Sequence, residues 1–217
     1  MIKAVLFDLD NTLINFSEFK KRASSKAALA MKKAGLKADS KKIEENLVEF
    51  YFHHGIESDD AFSRFLFKQT GEVDPRILAA AINAYLKEKY RYLKPYPGTR
   101  QTLSYLLKKQ YKLGIVTDGL RLKAWMRIME AGLDGYFQVV VTYEDTGKQK
   151  PNIEPFLKAC EQLKVKPNQC LHVGDWPQRD IDGAKAAGMS TCLALYGGMT
   201  GEADYSIKDI RELTSIL

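Results

Sequence analysis

IKAVLFDLDNT, residues Ile2–Thr12, is an apolar run that stops abruptly in a polar cluster. A short continuous stretch of Ala, Val, Leu and Phe bounded by turn-forming residues is the pattern of a strand buried on both faces. The DLDNT that follows marks its carboxyl end. Working outward, the periodicity from Ser17 to Leu93 becomes helical, with Phe62, Phe65 and Leu66 in one stretch and Ile77, Leu78, Ala81, Ile82, Tyr85 and Leu86 in another. About four helices are predicted there, broken near Gly35, Gly55 and Gly71–Pro75. Beyond the Pro95-Tyr96-Pro97-Gly98 punctuation, strands are predicted at Leu113–Val116, Phe137–Val141, Cys170–Val173 and Thr191–Leu195. Between them fall helical segments around Leu103–Leu107, at Leu122–Met129, at Phe156–Leu163 and at Ile181–Ala187. Short apolar strands alternating with amphipathic helices imply an α/β fold, a parallel sheet covered on both faces. Residues 1–16 and 94–217 then form the sheet domain, and 17–93 a helical block inserted after its first strand.

A chain of 217 residues can bury one good core, or a core plus a smaller unit. Its 45% hydrophobic and 28% charged residues are those of a globular protein and argue against disorder. The net charge of +6 is spread over lysines and arginines that nowhere form a run of five, so no nucleic-acid partner is expected. Such a field suits small anionic metabolites better. Cys160, Cys170 and Cys192 lack the close spacing of a zinc site or disulfide framework and read as small buried hydrophobes. No stretch is apolar enough for a membrane span, and the chain enters a strand at once, so no membrane partner and a cytoplasmic setting are expected. Nothing in the sequence chooses between a monomer and a homodimer.

In open parallel sheets, ligands bind beyond the carboxyl ends of the strands. Asp8 and Asp10 follow the first strand, Thr117 and Asp118 the second, Lys150 comes after the third, and Asp175 and Asp180 follow the fourth. Two carboxylates two residues apart on an extended chain point to one side, and they stay ionised together only if a cation neutralises them. Asp175 adds a third oxygen, completing the hard, partial donor set that Mg²⁺ tolerates while it keeps waters and a phosphate. An aspartate after a strand is ordinarily a turn former or helix cap. Four of them at matched strand ends are not explained that way.

FDLDNT at Phe7–Thr12, VTDG at Val116–Gly119, Lys150-Pro151 and GDWPQRD at Gly174–Asp180 together resemble, in order and spacing and over essentially the whole chain, the haloacid dehalogenase superfamily. That resemblance implies a Rossmann-like three-layer core with a helical cap inserted after the first motif. It implies Asp8 as nucleophile, with Asp10 as general acid/base and, through its backbone carbonyl, a metal ligand. Asp8 and Asp175 would also hold Mg²⁺, and Asp180 would support them. Thr117 and Lys150, with the backbone N–H of Leu9 or Asp118, would bind the transferring phosphoryl group. Superfamily members that attack carbon need no acid for a halide leaving group, so Asp10 favours phosphoryl transfer.

The resemblance thus implies a Mg²⁺-dependent phosphomonoesterase of a small phosphorylated metabolite, with a phosphomutase as the alternative and a binding protein without chemistry as a third reading. Four positions in three places depart from the commonest pattern: Asn11 stands where Gly is frequent, Asp118 where Asn is common, and Trp176 and Arg179, in one loop, where small and amide side chains are typical. Asp118 would bring extra negative charge beside a phosphate, and Trp176 would either wall the pocket or pack. In the inserted block, Phe16, Tyr51, Phe52, His53 and His54 are candidates for the substrate cleft, although a His pair in an aromatic helix is more often structural. Lys20, Lys21 and Arg22 read as a solvated helix face, and Tyr196-Gly197-Gly198 as a loop without chemistry.

Overall fold

A computed structural model of the chain describes residues 1–54 and 60–217, with the side chains of 51–54 and 90 outside the description. The first strand, β1 (Ala4–Phe7), is fully buried along its length, as its unbroken apolar sequence requires. Four helices follow among the described residues: α1 (Phe16–Lys33), α2 (Ser40–His54), α3 (Ala61–Thr70) and α4 (Pro75–Tyr92). The break between the last two is chemically explicit. Gly71 closes α3 in the left-handed conformation at φ 77°. Asp74 then caps α4, its carboxylate accepting the backbone N–H groups of Arg76 and Ile77, with Pro75 in the first helical turn.

The chain then alternates: α5 (Thr99–Lys108), β2 (Lys112–Val116), α6 (Arg121–Glu130), β3 (Val139–Val141), a single turn α7 (Tyr143–Thr146), α8 (Glu154–Leu163), β4 (Cys170–Gly174), α9 (Asp182–Ala186), β5 (Ser190–Ala194), β6 (Tyr205–Ile207) and a last turn α10 (Leu213–Ile216). All strand pairs are parallel, in the order β3-β2-β1-β4-β5-β6. Successive strands run outward from β1 on one side, and the chain then crosses to β4 on the other. That reversal opens a crevice at the carboxyl ends of β1 and β4, where ligands bind in doubly wound sheets.

Three local differences from the sequence reading have physical reasons. β3 is shorter than Phe137–Val141 because Gln138 exchanges its own groups with Leu113: its backbone N–H donates to the Leu113 carbonyl at 3.0 Å, and its side-chain oxygen accepts the Leu113 N–H at 2.6 Å. β6 lies beyond the strand expected to be last; only Ile207 of its three residues is buried, so it carries little apolar signal. The helix expected over Ile181–Ala187 starts earlier, as a π-turn over Pro177–Ile181, where the Asp182 N–H donates to the Pro177 carbonyl five residues back. Such turns are frequent at functional sites.

The chain divides into two compact units, Met1–Asn15 with Lys94–Leu217, and Phe16–Leu93. The helical unit has its own core, built around Met31, Leu47, Phe50, Phe65 and Leu66. Within it Lys20 donates to the Tyr85 hydroxyl at 2.7 Å, Arg22 pairs with Glu18, and Phe16 packs edge-on against Phe19. The Gly55 break lies outside the described residues, and Tyr51, Phe52, His53 and His54 outside the described side chains. Among the described residues no helix is long and apolar enough to cross a membrane.

Candidate active site

Asp8 is the first residue after β1, and its backbone N–H still donates to the Val173 carbonyl of β4 at 2.9 Å. The carboxylate is therefore fixed at the end of a fully buried strand. Burial pushes the Asp8 carboxyl well up; the Lys150 ammonium pulls it back, and Asp180, Asp175 and Asp10 push it up again. Lys150 Nζ donates to Asp8 Oδ1 at 2.5 Å, to Asp180 Oδ1 at 2.6 Å and to the Val116 carbonyl at 3.1 Å. Burial pushes the Lys150 ammonium down, but Asp180, Asp8 and Asp118 more than offset that and hold it well above its ordinary range.

Asp8, Asp175 and Asp180 are all buried, each offering an oxygen within 4.8 Å of the others. An all-oxygen set of this kind suits a hard divalent cation. The three are not equivalent. Asp180 Oδ1 is taken by Lys150 and, at 3.3 Å, by His172 Nε2, and its Oδ2 accepts the Trp176 backbone N–H at 3.0 Å. Burial raises the Asp180 carboxyl, but Lys150 and His172 hold it far below the usual range. On the Asp175 side chain, Oδ1 accepts from Thr12 Oγ1 at 3.3 Å. It is pushed up to about 7, by burial first and by Asp180 next. A carboxylate that is so reluctant to ionise alone is where a cation gains most.

Asp10 lies just beyond, in a turn closed by Asn11 at φ 61°, a left-handed conformation that asparagine tolerates. Arg127 of α6, itself buried, donates from Nη1 to Asp10 Oδ2 at 2.6 Å. Thr117 follows β2 and is buried, its Oγ1 accepting the Gly119 N–H at 3.2 Å. Asp118 Oδ1 accepts the Lys150 backbone N–H at 2.8 Å, and its Oδ2 pairs with Arg179 Nη2 at 2.7 Å. Trp176 is partly exposed, and the Arg179 guanidinium lies 5.1 Å from its ring centroid.

The sheet unit therefore gathers Asp8, Lys150, Asp175 and Asp180 into one cluster, with Asp10, Thr117 and Asp118 on its adjoining loops. Several residues in this neighbourhood escaped sequence reading. Arg127 is one arginine in an ordinary amphipathic helix; only the fold reveals its partner. His172 lies inside a β-strand, its Nδ1 without a hydrogen-bond partner among the described residues and its basicity lowered by burial. Thr12 was visible in the first motif but had no assigned partner. The Tyr196-Gly197-Gly198 segment, expected to be a loop without chemistry, packs on the cluster: Tyr196 donates to the Thr12 carbonyl at 2.9 Å. A Cβ on Gly197 would fall 2.2 Å from that of Asp175. The cysteines are buried free thiols, yet the fold brings the sulfurs of Cys160 and Cys170 to 3.3 Å, a pair that their spacing conceals.

The haloacid dehalogenase-like hydrolase family profile matches residues 5–194. The glyceraldehyde 3-phosphate phosphatase of Methanopyrus kandleri is 39% identical over 193 residues, covering 88% of this chain and 83% of that protein. Among solved structures, an HAD phosphatase from Thermococcus onnurineus superposes with a TM-score of 0.74 at 30% identity, over 99% of this chain and 97% of the other. The HAD-hydrolase YfnB of Bacillus subtilis, solved bound to magnesium, superposes with a TM-score of 0.72 at 25% identity, over 100% and 98%.

Proposed function

The chain belongs to the haloacid dehalogenase-like hydrolases, and from that premise we propose that it is a Mg²⁺-dependent phosphomonoesterase of small phosphorylated metabolites, with glyceraldehyde 3-phosphate the first substrate to test. The observation that carries this reading is the buried Asp8 carboxylate with the Lys150 ammonium 2.5 Å from one of its oxygens. Oδ1 is held by the lysine, so Oδ2 is the attacking atom. In-line attack forms the Asp8 Oδ2–phosphorus bond as the ester oxygen leaves, and Asp10 gives that oxygen its proton. Asp10 then takes a proton from the water that attacks phosphorus, the bond to Asp8 breaks, and inorganic phosphate is released.

Arg127 holds one oxygen of Asp10 and so fixes the plane of the carboxyl group that moves both protons. Lys150, the Thr117 hydroxyl and the backbone N–H of Leu9 or Asp118 donate to the phosphoryl oxygens. The Asp8 and Asp175 side chains and the Asp10 backbone carbonyl would hold Mg²⁺, and when bound it supplies positive charge against the transferring group. Asp180, whose oxygens are engaged by Lys150, His172 and Trp176, keeps the lysine aimed. We read the helical block as the inserted cap of this family.

The test is phosphate release with Mg²⁺ across glyceraldehyde 3-phosphate, phosphoglycolate and a set of sugar phosphates. We expect stoichiometric phosphate, with one small ester preferred by roughly a hundredfold in kcat/KM. Isomerised sugar phosphate without free phosphate would make the chain a mutase and sink the reading.

A further inference from the structure

Asp118 poses an electrostatic problem. It follows Thr117 directly and sits beside Lys150, the two side chains read above as the phosphoryl clamp, yet it adds a negative charge where a phosphate ester must bind. Its field reaches the clamp: after burial, Asp180 and Asp8, it is the next influence on the Lys150 ammonium. Like charges at such range oppose each other strongly where solvent is largely excluded.

The carboxylate nevertheless has work to do, since Oδ1 accepts the Lys150 backbone N–H at 2.8 Å and so braces the loop from which the ammonium reaches Asp8. The other oxygen meets Arg179 Nη2 at 2.7 Å, with the arginine side chain 32% and the aspartate side chain 16% exposed. Arg179 is itself held. Its guanidinium lies over Trp176, its backbone N–H donates to the Trp176 carbonyl at 3.2 Å, and the Trp176 N–H is anchored on Asp180 Oδ2.

We propose that Arg179 is a positioning residue for substrate binding: through its ion pair it cancels the charge of Asp118 beside the phosphate and leaves that carboxylate to brace Lys150. This rests on the reading of Thr117 and Lys150 as the phosphoryl clamp. Arg179 acts through Asp118 and does not itself touch the ester. Its loss is therefore felt in binding more than in turnover, and removing the charge it cancels repairs the loss.

The experiment compares the parent chain with Arg179→Gln, Asp118→Asn and the double variant, in Mg²⁺, with an aryl phosphate as substrate and inorganic phosphate as competing ligand. In Arg179→Gln, KM and the inhibition constant for phosphate should rise roughly tenfold while kcat falls by less than about threefold. With the charge of Asp118 removed there is nothing left for Arg179 to cancel, so the double variant should show both constants within about threefold of those of Asp118→Asn alone and below those of Arg179→Gln. Thermal unfolding of each variant shows that it is folded. Unchanged constants in Arg179→Gln overturn the proposal, and so does a double variant no better than Arg179→Gln, which would make Arg179 a direct ligand or a purely structural residue. A parent that hydrolyses no phosphate ester sinks the proposed function instead. Calorimetric titration with inorganic phosphate then tests the pair without turnover, and equal affinities across the four proteins overturn it.

Discussion

Asp8 and Asp10 are the same residue type two positions apart, yet their surroundings differ in the way the two proposed roles require. Asp8 is buried with Lys150 on one oxygen, a setting that holds a nucleophile in one orientation. Asp10 is more open to solvent and is held by Arg127, a setting for a group that must exchange protons. Asp8→Asn should leave the fold intact by circular dichroism and lower turnover of an aryl phosphate by roughly four orders of magnitude or more; a loss below tenfold contradicts the nucleophile assignment. Asp10→Asn should cost alkyl phosphates roughly tenfold to a hundredfold more than aryl phosphates, because only the poor leaving group needs the acid. Equal losses on the two esters would remove Asp10 from that role.

At the scale of elements, side chains from separate loops are assembled by close backbone packing. Gly183 in α9 shows this. A Cβ there would lie 2.7 Å from Phe156 of α8 and 2.9 Å from both the Cα and the carbonyl oxygen of Pro151. Pro151 adjoins Lys150, so the helix directly backs the loop that carries the ammonium. Gly183→Ala should therefore destabilise the protein by about 1–3 kcal/mol in urea unfolding and also lower kcat; an unaffected kcat would show that the loop is positioned without α9. The strand ends bearing Asp8, Thr117 and Asp175 were legible because buried parallel strands write themselves as apolar runs that stop at polar residues. Arg127, His172 and Gly197 were not, since their significance lies in a partner 117 positions away for Arg127, in the Asp180 carboxylate beyond its own strand for His172, and against the Asp175 side chain for Gly197. The Asp118–Arg179 pair falls between these cases. Both residues stand out in the sequence as departures, and only the fold makes them partners.

For the whole molecule, the site's carboxylates set a conflict between folding and the proposed function that a bound cation would resolve. Asp175 is raised to about 7 by burial and Asp180, and Asp8 is raised as well, chiefly by burial. An unfolded aspartate titrates near ~3.9. Between about 4 and about 7 the folded, metal-free protein holds a proton on Asp175 that the unfolded chain has released, so its stability falls as pH rises through that window. Asp180 works in the opposite sense: held low, it contributes stability above the usual carboxylate range and loses it only in strong acid. On the proposed reading Mg²⁺ would bind the ionised carboxylates of the folded state alone, so it should restore at pH 8 what deprotonation removes, and do little at pH 5. Calorimetric melting with and without millimolar Mg²⁺ should show a rise of roughly 5 °C or more at pH 8 and a much smaller one at pH 5. Asp175→Asn carries no raised carboxyl and lacks one ligand, so in that variant the metal-free Tm should decline less between pH 5 and pH 8 and the Mg²⁺ increment at pH 8 should largely vanish. An equal Mg²⁺ increment at both pH values, or one retained in Asp175→Asn, would place the cation elsewhere on the chain.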